Sequence, residues 1–271
     1  MLSFWRRNKK QPSQSVAASA AAASARLAVL GCGDAFGSGG RLQTCFHLTL
    51  TGTEVLIDCG ATALIGMERQ GLDPNAVDAI VLSHLHGDHY AGLIWWVMHA
   101  QHVSGRTSPL TVIGPEGTRE RYRDTAELLY PGSTAITPKF ELKFETFRER
   151  EAFDAGAFQV TPYAVSHPSG SLSAALRFTA GGKVLAFSGD TEWVESLIDC
   201  SAGADLYISE CFEFSGSAYY HLTWETLRQQ LPRIDAKRIL LTHMNNAMLT
   251  NVAAIDDPRI VVAEDGMTID V

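Results

Sequence analysis

The sequence predicts an α/β domain in which two sheets pack face to face and carry helices on their outer sides. Three observations carry that prediction. Strand-like and helix-like segments are mixed in the first half of the chain and again in the second, and both halves send polar donors out of strand ends. A hydrophobic content of 46% over 271 residues suits one large domain with a full core. No apolar run approaches the roughly 20 residues needed to span a bilayer, so no membrane partner is expected.

The formal net charge of −8 argues against non-specific binding of long nucleic acid, which relies on a basic field. Five cysteines (Cys32, Cys45, Cys59, Cys200 and Cys211) are an odd number without CxxC spacing, which fits neither a disulfide framework nor a zinc ribbon and points to a reducing compartment. Residues 1–25 read as a tail: a basic start is followed by an alanine and serine tract without the leucine-rich centre of a signal peptide. A cytoplasmic location is therefore expected, with export through this tail as the alternative. The single folded domain is expected over residues 26–271.

The domain opens with a strand at Leu27–Leu30 running into a glycine-rich loop, Gly31 to Gly40. That loop lacks the Lys-Ser/Thr ending of a phosphate-cradling loop, and no helical pattern follows it. Cys45–Leu50 and Glu54–Asp58 read as a hairpin, and Ala61–Gln70 as a helix stopped by Gly71. A strand from Ala79 leads to a helix over Ala91–His102, then come a strand at Leu110–Ile113 and a helix at Glu116–Leu129. Strands are expected at Phe140–Phe147, Phe158–Val165, Leu172–Thr179 and Lys183–Phe187. Asp205–Ser209 and Arg238–Leu241 read as buried strands separated by a helix at Thr223–Leu231. Ile260–Ala263 and Met267–Val271 suggest a closing hairpin over Asp265-Gly266.

The chemistry concentrates in Ser83-His84-Leu85-His86-Gly87-Asp88-His89, directly after the apolar run Ala79–Leu82. Three imidazoles and a carboxylate at the end of a strand form a metal-binding pattern. In an extended segment alternate side chains share a side, so His84 and His86 can converge on one ion while Asp88 and His89 reach another. Three later strand ends offer further donors: His167 after Val165-Ser166, Asp190 in Ser188-Gly189-Asp190-Thr191, and His243 after Leu241-Thr242. His99 and His102 read as ordinary helix residues. Asp58, placed after an apolar strand, suits a carboxylate that holds a ligand imidazole. Tyr219, Tyr220 and Trp193 offer aromatic surface to a base or acyl group, with core packing the competing fate.

This ordered set resembles the metallo-β-lactamase superfamily of dinuclear metallohydrolases over about Leu27 to Val271. The resemblance implies an αββα four-layer sandwich, two mixed sheets with outer helices, and a metal site at one edge. It implies two divalent metal ions, zinc first and manganese or iron as alternatives. Carried over by position, His84, His86 and His167 would hold one ion, Asp88, His89 and His243 the other, and Asp190 would bridge them. An aspartate at that step disfavours a true zinc β-lactamase. Within the superfamily the chain looks most like the tRNase Z-like phosphodiesterases, on Gly31-Cys32-Gly33, Asp58-Cys59-Gly60, Gly114-Pro115, Ser188-Gly189-Asp190-Thr191 and Ala204 to Glu210 followed by His221-Leu222-Thr223. By that likeness Glu210 and His221 would assist the leaving group.

One departure bears on the substrate. Only 22 residues separate His167 from Asp190, and two strands and a turn fill them. The long tRNA-gripping arm of tRNase Z enzymes has no room there. The expected activity is hydrolysis of a small or nucleotide-like phosphodiester through a metal-bridging hydroxide. Lactone or thioester hydrolysis on the same metals is one alternative, and a non-catalytic metal or redox module using Cys32 or Cys211 is another. A homodimer is compatible with the sequence.

Overall fold

The structure, a computed structural model, describes residues 25–271. The expected tail lies outside the described residues apart from Ala25, which already belongs to the first strand. The first half runs β1 (Ala25–Gly31), β2 (Cys45–Leu50), β3 (Thr53–Ile57), α1 (Ala63–Arg69), β4 (Ala79–Val81), α2 (Gly87–Tyr90), α3 (Gly92–His102), β5 (Leu110–Gly114), α4 (Thr118–Leu129) and β6 (Leu142–Thr146). The second half runs β7 (Phe153–Asp154), β8 (Gln159–Ala164), β9 (Ala174–Ala180), β10 (Lys183–Phe187), α5 (Ser196–Ser201), β11 (Leu206–Glu210), α6 (Trp224–Gln230), β12 (Ile239–Thr242), α7 (Asn246–Thr250), β13 (Ile260–Val262) and β14 (Thr268–Asp270).

These strands build two seven-stranded mixed sheets, in the orders β14-β1-β2-β3-β4-β5-β6 and β13-β12-β11-β10-β9-β8-β7. Period-two alternation decides what each strand faces. Val81 joins the core between the sheets, with Phe46, Leu48, Leu176, Phe178 and Phe187, whereas its neighbours Ile80 and Leu82 face a second core shared with Leu93, Trp96 and Val97 of α3. A third core lies against Leu197 of α5, Leu227 of α6 and Met248 of α7. The layers are helix, sheet, sheet, helix, as expected. Strands β3, β4 and β5 run parallel in one sheet and β10, β11, β12 and β13 in the other, so several carboxyl ends open on one edge.

The expected closing hairpin is wrong. β13 pairs parallel to β12, while β14 pairs antiparallel to β1 in the other sheet, so residues 263–267 cross between the sheets. Two three-residue strands make too few mutual hydrogen bonds to hold as a hairpin, and each gains more from an open sheet edge. Helices α5 and α7, of six and five residues, had no counterpart in the sequence reading because such lengths are too short to show helical periodicity.

One close approach seats α3 against the site. The Gly92 amide donates to the Cys59 carbonyl at 2.8 Å, and a Cβ on Gly92 would lie 2.0 Å from the Gly60 carbonyl oxygen. Gly92→Ala should therefore lower stability by about 1–3 kcal/mol, as for an overpacked core. An unchanged urea midpoint would show that the chain can open this contact at no cost.

Candidate metal centre

Five carboxyl ends of parallel strands place the chemistry: Asp58 follows β3, the 83–89 loop follows β4, Asp190 follows β10, Glu210 ends β11 and His243 follows β12. His167 follows the antiparallel strand β8. Gly189, at φ 58°, turns the chain just before Asp190, and a Cβ there would lie 2.9 Å from the Ala174 carbonyl oxygen. A glycine is the residue that tolerates this turn. His243 and Asp58 also have positive φ, 59° and 56°, conformations that non-glycine residues keep only where their surroundings over-determine them.

The side chains gather into three overlapping donor groups. His84, His86 and His167 form one, Asp88, His89, Asp190 and His243 a second, and His167, Asp190 and His221 a third, with ligand atoms in each group within 4.8 Å of one another. Asp190 lies at their junction. Its Oδ2 lies 3.2 Å from His89 Nε2, 3.3 Å from His243 Nε2, and 3.9 Å from Nε2 of both His84 and His167. Asp88 Oδ2 lies 3.3 Å from His89 Nε2 and 3.9 Å from His243 Nε2. His86 Nδ1 faces His167 Nε2 at 2.9 Å. The seven residues expected as ligands all lie in these groups, and His99 and His102 fall outside them.

Outer partners orient four of the imidazoles by their far nitrogens. Asp58 Oδ2 accepts from His89 Nδ1 at 2.6 Å, and the Tyr220 carbonyl accepts from His167 Nδ1 at 2.8 Å. Both partners accept, so each ring carries a proton on Nδ1 and turns its Nε2 inward. Ser83 Oγ meets His84 Nδ1 at 3.0 Å, and Thr44 Oγ1 meets His243 Nδ1 at 3.2 Å. Asp58 also accepts from the Ser83 amide and hydroxyl, at 2.7 and 2.8 Å, which ties the whole loop to β3.

The residues fit a divalent cation. His84 Nε2, His89 Nε2 and Asp190 Oδ1 are buried without a hydrogen-bond partner, and all belong to the cluster. Such atoms are rare in folded proteins because desolvation is uncompensated, and a coordinated cation satisfies them. Burial lowers the pKa values of His84, His167 and His243, which keeps their lone pairs available. At Asp190 burial is outweighed by His243 and His89, which keep the carboxyl ionised. His89 is pushed up despite its burial because Asp190, Asp88 and Asp58 surround it, so the carboxylates favour a positive charge at this point. Three neutral imidazoles, a fourth whose proton a cation would displace, and ionised carboxylates are the donor set of a nitrogen and oxygen metal site.

Beside this cluster lie Glu210 and His221. His221 Nδ1 is 3.3 Å from both Glu210 oxygens and 4.0 Å from Asp190 Oδ2. Burial pushes Glu210 up to about 7; His221 rises to about 9 because the Glu210 hydrogen bond and charge outweigh its own burial. Glu210 is fixed by the Thr191 amide, and its own amide donates to Ser188 Oγ at 2.8 Å. Phe212 stacks on His221 with ring centroids 4.7 Å apart. Tyr219 and Tyr220 are exposed on the same loop, whereas Trp193 packs against the core under Arg233.

Some of the site was not in the sequence reading. The role of Thr44 rests on a hydroxyl contact between distant segments, that of Ser83 on a hydroxyl contact with its neighbour His84, and that of Tyr220 on a backbone carbonyl, which no side-chain pattern signals. All five cysteines are free and buried. Burial raises the Cys32 and Cys211 thiols, so neither is a ready thiolate.

A helix-sheet-sheet-helix sandwich with this histidine and aspartate edge is the metallo-β-lactamase fold carrying a candidate metal site. Ribonuclease Z of Anoxybacillus flavithermus is 26% identical over 276 residues, which cover 81% of this chain and 86% of that protein. Ribonuclease Z of Clostridium acetobutylicum is 33% identical over a shorter 119 residues, 44% of this chain and only 36% of that relative's length. The metallo-beta-lactamase fold protein YhfI from Bacillus subtilis superposes with a TM-score of 0.75 at 22% identity, covering 92% of this chain and all of that one. The chain belongs to the Anti-Pycsar protein Apyc1 family, whose model matches residues 25–266.

Asp58→Asn would set an amide NH2 against His89 Nδ1–H and force the ring to its other tautomer, which loses the inward lone pair. Metal affinity measured by chelator competition should fall about 10–100-fold. Equal affinities in the two proteins would remove Asp58 from the account.

Proposed function

We propose that this chain is a dinuclear metal-dependent phosphodiesterase acting on a small or nucleotide-like phosphodiester. His84, His86 and His167 would hold one ion and Asp88, His89 and His243 the other, with Asp190 shared between them, and zinc is the leading metal on donor type, with manganese or iron as alternatives. When bound, such a pair supplies a nucleophile at neutral pH and Lewis acidity for the phosphoryl oxygens. The observation that carries the phosphodiester reading is the Glu210–His221 pair, set against Asp190. Glu210 accepts from His221 Nδ1 and stabilises the imidazolium, so His221 can give the Nε2 proton to a departing alkoxide. An alkoxide requires that proton; a thiolate leaves without it. The ribonuclease Z relatives, named for an enzyme of RNA, support the same bond type. The 22-residue interval between His167 and Asp190 and the net charge of −8 favour a substrate smaller than tRNA.

Asp190→Ala and His86→Ala should each abolish hydrolysis of bis-p-nitrophenyl phosphate with the circular dichroism spectrum retained. Near-normal turnover in both would end the dinuclear reading. The leaving group provides the sharper test. His221→Ala should lower kcat for a cyclic nucleotide, which expels an alkoxide, by about 10²–10⁴-fold, and barely change kcat for bis-p-nitrophenyl phosphate. Equal losses on both substrates would contradict proton donation by His221. In a wider panel, turnover confined to a homoserine lactone or a glutathione thioester would replace the phosphodiester assignment.

A further inference from the structure

The crossover between the two sheets carries a carboxylate that the proposed chemistry does not use. Asp265 lies midway between β13 and β14, and its oxygens reach back to the glycine-rich loop after β1. Oδ1 accepts from the Cys32 amide at 3.0 Å and the Cys32 thiol at 3.2 Å, and Oδ2 accepts from the Leu42 amide at 2.7 Å. The crossover is further pinned by Gly266 N to the Val29 carbonyl and by Arg41 to the Ala263 carbonyl, at 2.8 and 2.9 Å.

Cys32 is buried, and its carbonyl faces the other way. It accepts from the His243 amide at 3.0 Å and from Thr242 Oγ1 at 3.2 Å. His243 is the residue held at φ 59°, so its ring direction depends on what grips its backbone. Two groups grip it from the first sheet: the Cys32 carbonyl, just after β1, at the amide and Thr44, just before β2, at Nδ1. Thr44 in turn bonds the Gly33 carbonyl at 3.3 Å, one residue beyond Cys32. Both grips therefore rest on the segment that Asp265 clamps.

We infer that Asp265 is a positioning residue for His243: by fixing the Cys32 peptide it holds the left-handed backbone of His243 and so aims that ring at the Asp88, His89 and Asp190 group. The inference rests on the dinuclear reading above for its consequence, though not for its geometry. It assigns the C-terminal crossover a part in one half of the centre only, because His84, His86 and His167 hang from β4 and β8 and take none of their contacts from Asp265.

Asp265→Ala and Met267→Ala separate positioning from general support of the fold. Met267 packs on the core from the same crossover without bonding Cys32 or His243, so its truncation reports simple loss of packing. In metal-stripped protein, hydrogen exchange at the His243 amide should accelerate about tenfold or more in Asp265→Ala and stay near wild type in Met267→Ala. In protein equilibrated with zinc against a competing chelator, Asp265→Ala should lose about 10–100-fold in affinity for one ion and keep the other, while Met267→Ala keeps both. Wild-type exchange at His243 in Asp265→Ala, or equal effects of the two substitutions, would overturn the inference. If wild-type protein binds fewer than two zinc ions, the dinuclear reading fails, and the exchange comparison still decides whether Asp265 holds His243.

Discussion

The structure depends on one buried carboxylate with one oxygen facing five imidazoles. Asp190 Oδ2 lies within 4.0 Å of nitrogens from His84, His89, His167, His221 and His243, which come from both sheets. An ionised carboxylate buried this deeply is costly unless positive charge compensates it. The chain meets that cost by making the surrounding histidines converge, and four of them are braced from behind by Asp58, Ser83, Tyr220 and Thr44. The same arrangement that would be destabilising in a protein core is what a cation centre requires. Stability is given up at the edge, and the three cores between and outside the sheets supply it elsewhere.

The sandwich explains why the donors can be so far apart in sequence. Parallel strands in each sheet put their carboxyl ends on one edge, so a residue placed just after an apolar strand arrives at the site without any local motif. The loop after β4 is the exception, since it delivers four donors in six residues and needs the tight seating of Gly92 on Gly60 to do so. Glu210 arrives by the same logic from β11, and His221 comes from the loop before α6, which places a hydrogen-bonded carboxyl and imidazole beside the donors. A metal centre alone is shared by many hydrolytic chemistries on this fold. The coupled pair is what inclines the proposal towards an alkoxide leaving group.

Much of this was legible in the sequence because strand-plus-donor is a short, dense pattern. His84, His86, Asp88 and His89 declared themselves by spacing, and His167, Asp190 and His243 by their position after apolar runs. Asp58 was legible for the same reason, and the contact with His89 accounts for it. The parts that could not be read are those made by the backbone or by pairing choice. Tyr220 acts through a carbonyl, which every residue has. The β13 and β14 segments carry a turn signal at Asp265-Gly266 that suits a hairpin, yet each finds a better partner in a different sheet. Pairing of that kind is decided by which sheet edges remain open, which is a property of the whole fold. The same misreading hid the link from Asp265 through Cys32 to His243.

Anomalous diffraction at the zinc edge from crystals of the zinc-loaded protein tests the central claim most directly. The account predicts two peaks, one among His84, His86 and His167 and one among Asp88, His89 and His243, each about 2.0–2.2 Å from an oxygen of Asp190. A single peak, or two peaks that do not share Asp190, would contradict it.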